Sequence, residues 1–573
     1  MGDTFNGELA YVFLVSIVDA AVLSWIALRW YRRSVSRIMQ RPPGLPEPLD
    51  HDEPPADAAA AARDPLRMGV VEASRVPTTA LAQSLPASVW QRVAIAYGTG
   101  ALLYSAVMSA AVVATIWPLN ITAIASQVWV HTWPMLPALI ALLVLDRKRA
   151  FALIGLFVGL GAVSVAIVGM ASQTLRGAEI TSPFANAFSA IASLVQLTYV
   201  PLFLIAITGW RRIRAVTGLA LAATLFFGFG LFSFHRLFAY SFNVNALKSV
   251  MLDAAVITSH QTVYYGTFML LSLPFGWLAW RAFNGLASAY ERHAFSDVQL
   301  IVDCWVVVVA AEVTATHLAA SFGLAAVAMG LAAFAAYRTG VAVMLGARPL
   351  PSVPGVARNR LLLLRVFGYQ ARTESLFDHI AQRWRFRGPV QLIAGTDLAM
   401  RTVDPGDMLA FISGRLRDQY VSSVDEVPER VAHLDMNCDP DGRFRINELY
   451  CLHDTWQPTI QALLAMTDVI VMDLRGFTKD RKGAQFELQH IVTRIPTDRI
   501  VLISDKTTDE PLVEQLLQSA WAQAGASTTA TQNGQLDLIR VESNSRRELD
   551  GVMGRLLGHG ELQQVQDLSA SPA

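Results

Sequence analysis

The strongest constraint on this chain is where its charge is missing. From about residue 92 to 347, long apolar runs follow one another with few acids or bases, whereas charge is dense after 356. A helix needs about 20 mostly apolar residues to cross a hydrocarbon core. Leu9–Trp30 meets that requirement. So do runs near 93–117, 122–145, 150–171, 188–210, 215–234, 261–281, 298–316 and 321–346, about nine crossings in all. Composition agrees: of 573 residues 53% are hydrophobic and 16% charged. That balance is unusual for a soluble chain.

The first run is read as a retained anchor and not a cleaved leader. Asp3 and Glu8 precede it, it is long, and Arg29, Arg32, Arg33 and Arg37 follow it. The basic clusters Arg32/Arg33, Arg147/Lys148/Arg149, Arg211/Arg212/Arg214, Arg281/Arg292 and Arg338/Arg348 then fall on one side of the bilayer. By the bias of basic residues toward the cytoplasm, the N-terminus is outside and everything after 347 is inside. The expected location is a bacterial inner membrane, crossed several times. The expected domains are an anchor over 1–33, a disordered cytoplasmic linker over 34–91 and a multispan bundle over 92–347. An α/β domain over 356–558 and a flexible tail over 559–573 complete the chain. The linker expectation rests on RPPGLPEPLDHDEPPADAAAAARDP, residues 41–65. Its proline, alanine and acids bury too little apolar surface to offset chain entropy.

Three acids fall inside the predicted crossings: Asp19 in the first, Asp303 and Glu312 in the eighth. Charge there is costly and marks either an ion or proton path or acids turned into the bundle. In the second case these acids would pair with a hydroxyl, or with Arg236 or His317 near the outer face.

After 361 the pattern becomes short apolar runs alternating with amphipathic segments. LLLLRVFG (361–368), VQLIAG (390–395), VIVMDL (469–474), RIVLIS (499–504) and LDLIRV (536–541) read as buried strands. Helices are expected over 374–384, from Pro405 to about 417, and over 457–466, 483–494 and 509–523. This alternation specifies a parallel sheet with helices on both faces. Ligands in such sheets bind beyond the carboxyl ends of the strands. Gly395, Asp397, Arg475, Phe477 and Asp505 are expected at that edge. Phe477 and Phe486 are candidates to stack on a ring, or else core residues.

The element order over about 361–505 resembles a divergent TIR (Toll/interleukin-1 receptor-like) domain. The strand VIVMDL, a loop and a helix containing AQFEL resemble the family's strand, loop and Cys–x–x–Glu–Leu helix, with Glu487–Leu488 matching. Ala484 stands at the Cys position, and Phe367–Gly368–Tyr369 replaces the usual Ser–Tyr. The resemblance implies a flavodoxin/TIR-like three-layer fold, homo-oligomer formation, and Glu487 as the catalytic group of NAD cleavage. A carboxylate near the ribose would stabilise an oxocarbenium-like transition state. A helix dipole favouring an acid at its start, worth about 0.3–1 kcal/mol, explains the same residue without catalysis.

Other patterns are weaker. Residues 437–448, NCDPDGRFRINE, match a calcium loop at several oxygen-bearing positions, and equally a Pro–Asp–Gly turn entering an edge strand. Cys304, Cys438 and Cys451 are read as thiols with no metal. His453–Asp454 precedes a helix with no nucleophile motif beside it. Neither G-x-G-x-x-G after the first strand nor G-x-x-x-x-G-K-[ST] occurs. Net charge is zero, so nothing points to nucleic acid. The expected function is membrane signalling or defence through self-association or NAD cleavage, with no resident cofactor. A non-catalytic interaction module, or a transporter or channel with a nucleotide-binding regulatory domain, are the rivals.

Overall fold

The computed structural model describes residues 2–39, 65–77, 87–114, 214–241, 258–346, 359–366, 370–394, 403–452, 455–523 and 534–557, together with short pieces between 115 and 213 and residue 256. The chain divides into two compact units. One comprises Met1–Tyr31, Trp90–Arg348 and Thr402–Ser413; the other comprises Arg32–Val89, Pro349–Arg401 and Gly414–Ala573.

The first unit is helical. Its elements are α1 (Gly2–Met39, whose last turns belong to the second unit), α2 (Ala87–Val113), α3 (Arg214–Ser241), α4 (His260–Glu291), α5 (Asp297–Val313) and α6 (Ala325–Gly346). Among the described residues five helices are long and apolar enough to cross a membrane: Tyr11–Ile38, Gln91–Val113, Val216–Arg236, Asp297–Thr316 and Ala325–Gly346. The expectation of about nine is not met. Crossings near 122–145 and 188–210 lie outside the described residues. The one near 150–171 is represented by a shorter apolar helix, Phe151–Val163. The one near 261–281 lies within α4, whose length suffices but whose apolar stretch falls short, with Pro274 inside it.

Small residues bring these helices together, as is usual where no hydrophobic difference between protein and solvent drives packing. A Cβ on Gly228 of α3 would lie 3.1 Å from Ser16 Oγ of α1. Thr224 Oγ1 donates to the Ser16 carbonyl at 3.0 Å. A Cβ on Gly100 of α2 would come within 2.6 Å of Val341 on α6.

The second unit is an eight-stranded, wholly parallel sheet. Its strands are β1 (Arg67–Glu72), β2 (Leu361–Arg365), β3 (Val390–Ala394), β4 (Tyr420–Val421), β5 (Ile446–Cys451), β6 (Val469–Asp473), β7 (Ile500–Ser504) and β8 (Gln535–Arg540). The spatial order is β1-β8-β7-β6-β2-β3-β5-β4. The connecting helices are α7 (Gln370–Trp384), α8 (Pro405–Ile412), α9 (Val427–Ala432), α10 (Trp456–Met466), α11 (Lys482–Arg494), α12 (Glu510–Gln523) and α13 (residues 546–557). Leu362, Leu364, Ile470, Met472 and Leu502 pack with Ile460, Leu463, Leu488, Ile491, Val513 and Leu517. The intervening Leu361, Leu363, Val469, Val471 and Ile503 are buried too. Both faces are therefore covered, which is why these strands read as unbroken apolar runs.

Two boundaries differ from expectation. The segment 34–91 is not wholly a linker: Arg67–Glu72 pairs residue for residue with Gln535–Arg540. Leu66 enters the sheet's core. The strand was hidden because RMGVVE is short and follows a proline-rich, acidic stretch. Nor is 356–558 one body: α8 packs against α3, α4 and α5 in the helical unit. Its sequence, PGDMLAFI, is apolar beyond its cap, so it can bury almost all round. It also ends at Ile412, earlier than the expected 417.

Candidate functional site at the switch point of the sheet

The chain runs from β2 outward through β3, then returns past β2 to β6 and continues to β7 and β8. Without β1, β4 and β5 this is the 2-1-3-4-5 order of doubly wound sheets. In doubly wound sheets ligands bind at the carboxyl ends of the two strands where the order reverses, here β2 and β6. Arg365 and Asp473 end these two strands in register, and both are buried.

Glu487 lies in the second turn of α11, the helix following β6. It is 3% exposed, and its Oε2 has no hydrogen-bond partner. Burial drives its carboxyl up to about 8, opposed by the positive charge of Arg365. The residue is thus neither at the surface nor in the first turn, and the dipole account of a solvated acid does not describe it. An unsatisfied buried oxygen costs about 1–3 kcal/mol.

The neighbouring groups form a closed network. Arg475 grips Asp473 with two hydrogen bonds, Nε to Oδ1 and Nη2 to Oδ2, both 2.7 Å. Its Nη1 donates to Asn544 Oδ1 at 2.6 Å, and Asn544 Nδ2 donates to Ser375 Oγ at 2.9 Å. Gly476, at φ +76, directs its N–H to Thr507 Oγ1 at 2.9 Å. Asp505 is buried and accepts from the Thr507 N–H at 2.8 Å. The loops after β6 and β7 are thereby tied together. Arg475 and Asp505, expected at an open edge, are held inside the fold. Phe477 is a core residue. Phe486 packs edge-on against Trp456 at 5.4 Å and lies 3.8 Å from the His490 ring. Gly395 and Asp397 lie outside the described residues, as do His453 and Asp454.

Asn544 belongs to this network although no sequence pattern pointed to it. Its φ is +54, a left-handed conformation that asparagine tolerates better than most residues. Behind it, Ser545 and Glu548 form a capping box for α13: Glu548 accepts from the Ser545 N–H at 2.9 Å, and its N–H donates back to Ser545 Oγ at 3.4 Å. His379 Nε2 donates to Asp550 Oδ1 at 2.9 Å, while Arg383 Nη1 donates to the His379 Nδ1 at 3.0 Å. Burial and the Arg383 charge hold this imidazole neutral.

The calcium pattern resolves into a turn. Asp439 is bound by Arg445 at 2.7 Å, and Asp441 lies 3.7 Å from Arg443. Gly442 takes φ +81, and Cys438 bridges Phe444 in antiparallel fashion. Among the described residues no group of three or more His, Cys, Asp or Glu is placed to hold a metal ion.

The three acids of the expected crossings have different fates. Asp19 is exposed on α1 and not turned inward. Asp303 pairs with Arg338 of α6 at 2.6 Å, in place of Arg236 or His317. Glu312 is buried near Tyr104 of α2, beside a widened π-helical turn over Thr314–Leu318.

Comparison with protein-family profiles, with curated proteins and with solved structures gives no match. The class defined by structure alone is a chain with several membrane-length apolar helices joined to a parallel α/β sheet.

Proposed function

We propose that the chain is a membrane signalling or defence protein. Its N-terminus lies outside and its cytoplasmic α/β domain, TIR-like in character, self-associates and cleaves NAD at the β2/β6 switch point. The single observation behind this is Glu487, a buried carboxyl with a free oxygen at the place where doubly wound sheets take ligands. A cationic nicotinamide riboside group favours the ionised form of a carboxyl otherwise kept neutral. The same charge then stabilises the oxocarbenium as the glycosidic bond breaks.

One strand pairing is consistent with the proposed topology. A sheet cannot straddle a bilayer, so with α1 read as a crossing the β1–β8 pairing supports a sheet on the side opposite the start of α1. Tyr31, near the basic end of α1, meets Phe411 of α8. Tyr290, near the basic end of α4, meets Gly406. Both ends therefore adjoin a helix that lies in sequence between β3 and β4.

The closed Asp473–Arg475–Asn544–Ser375 network favours a second reading, a non-catalytic interaction module. The test is cellular NAD on expression of the full chain against Glu487→Gln at equal protein level. The full chain is required because a fragment beginning at 350 lacks β1. A several-fold fall with the wild type alone supports cleavage. Unchanged NAD when the chain is clustered, with signalling lost on altering the outer face of α7, supports the interaction module.

A further inference from the structure

The sheet ends in two edges that differ. At one, β4 offers two residues, Tyr420 and Val421. At the other, β1 offers six in unbroken register with β8. A long free edge is a template for another strand, and folds blunt such edges by shortening them or by placing proline or lysine there. β4 is blunted by its length. β1, RMGVVE, holds neither proline nor lysine, and its Val70 is 48% exposed.

Which backbone groups of β1 face outward follows from its pairing with β8. The Arg67 N–H donates to the Gly534 carbonyl at 2.6 Å. In a parallel ladder alternate residues turn both backbone groups to the same neighbour, so Arg67, Gly69 and Val71 serve β8. The N–H and C=O groups of Met68, Val70 and Glu72 point away from it. This outward set has defined ends. Before it, the Leu66 N–H donates to Gln518 Oε1 at 3.2 Å and the Leu66 carbonyl accepts from Gln518 Nε2 at 2.6 Å. After it, the chain leaves the strand in the 3-10 turn Ala73–Arg75. The outward groups are therefore symmetric about Val70.

That symmetry fits one partner, the same strand of a second copy of this chain. Identical edges pair antiparallel about a two-fold axis normal to the sheet. Such an axis keeps each side chain on its own face, so even-numbered residues can oppose only even-numbered ones. With the axis at Val70, Val70 meets its counterpart and Met68 meets Glu72 on either side of it, each pair exchanging two hydrogen bonds. An axis at Gly69 would need the backbone of Leu66, which Gln518 already holds. An axis at Val71 would need Ser74, which lies in the turn. At Val70 the acids do not oppose one another: Glu72 faces a methionine, and its carboxylate is drawn back to Arg540 at 3.4 Å. The two exposed valines cover each other.

We propose that the free edge of β1 is the self-association surface of the α/β unit, pairing Val70 with Val70 of a second copy across a two-fold axis. This pairing rests on the self-association proposed above and supplies its surface, whether or not NAD is cleaved.

The experiment uses the full chain in liposomes, with Cys438→Ser as background. Opposed residues of a hydrogen-bonded antiparallel pair have Cα atoms about 5.5 Å apart, within the span of a disulfide. Under mild oxidation Val70→Cys is expected to form covalent dimer about tenfold faster than Val424→Cys, a control that is equally exposed, at 49%. Equal rates overturn the surface. Val70→Lys sets like charges opposite one another at the axis, on a side chain that is already half exposed. Its dimer fraction, read as particle mass in mild detergent, is expected to fall several-fold below wild type, and an unchanged fraction overturns the proposal. A chain that is dimeric in mass with no preference for Val70→Cys loses this surface and keeps self-association. A chain that is monomeric in mass loses both.

Discussion

At the scale of single residues, Glu487 sets the behaviour of the sheet domain with pH. Its folded carboxyl titrates near 8 because burial disfavours the charge, whereas an unfolded Glu titrates near 4.3. Between those values the folded state holds a proton that the unfolded state has lost, so stability falls as pH rises through the window. Glu487→Gln removes this dependence. Thermal unfolding should show the variant more stable than wild type at pH 8, by on the order of 3–5 kcal/mol, with the gap closing toward pH 5. A gap that stayed constant across this range would mean the carboxyl is not held neutral. The residue itself was legible in the sequence through FEL after VIVMDL. Its burial was not, because the partner that defines its environment, Arg365, lies more than a hundred residues earlier. Arg475 shows the converse. Its position after a strand suggested a ligand contact, but Asp473, two residues before it, captures both arms of the guanidinium.

At the scale of elements, the five strands that were foreseen are those buried on both faces, where β-branched and leucine runs leave no other reading. The three that escaped were β1, β4 and β5 in whole or in part. Residues 444–451, FRINELYC, did alternate as a strand would, and β5 occupies the last six of these eight. β4 has two residues, too few for any period to register. β1 is partly exposed and separated from its partner by most of the chain. The test of its standing is Leu66→Ala, which leaves the ladder intact and empties a site in the core. A loss of about 2–4 kcal/mol is expected, read as a lower opening free energy for amides 500–504 and 535–540 in hydrogen exchange. Unaltered protection there would show that β1 only lies along the sheet.

At the scale of the whole molecule, pairing of β1 with β8 constrains the proposed membrane topology. Under the proposed topology, pairing of β1 with β8 requires an even number of crossings between residues 91 and 348. In a Cys438→Ser background, Ala58→Cys and Ser569→Cys should react from the same face with an impermeant thiol reagent. Thr4→Cys should react only from the opposite face. Labelling of Thr4→Cys and Ser569→Cys from one face would break the scheme. The two-part division of the chain was legible from charge alone. The exchange of β1 and α8 between the parts was not, because each is a short segment whose partner lies far off in sequence.

That exchange also orders the life of the molecule during synthesis. Glu72 and Arg540 are 468 positions apart, so β1 leaves the ribosome long before the strand it pairs with exists. Through that interval its backbone donors and acceptors are open to any other strand. A ribosome that stalls after β7 therefore releases a chain with two unmatched β edges, and the quality of the finished protein depends on the final stretch of chain arriving.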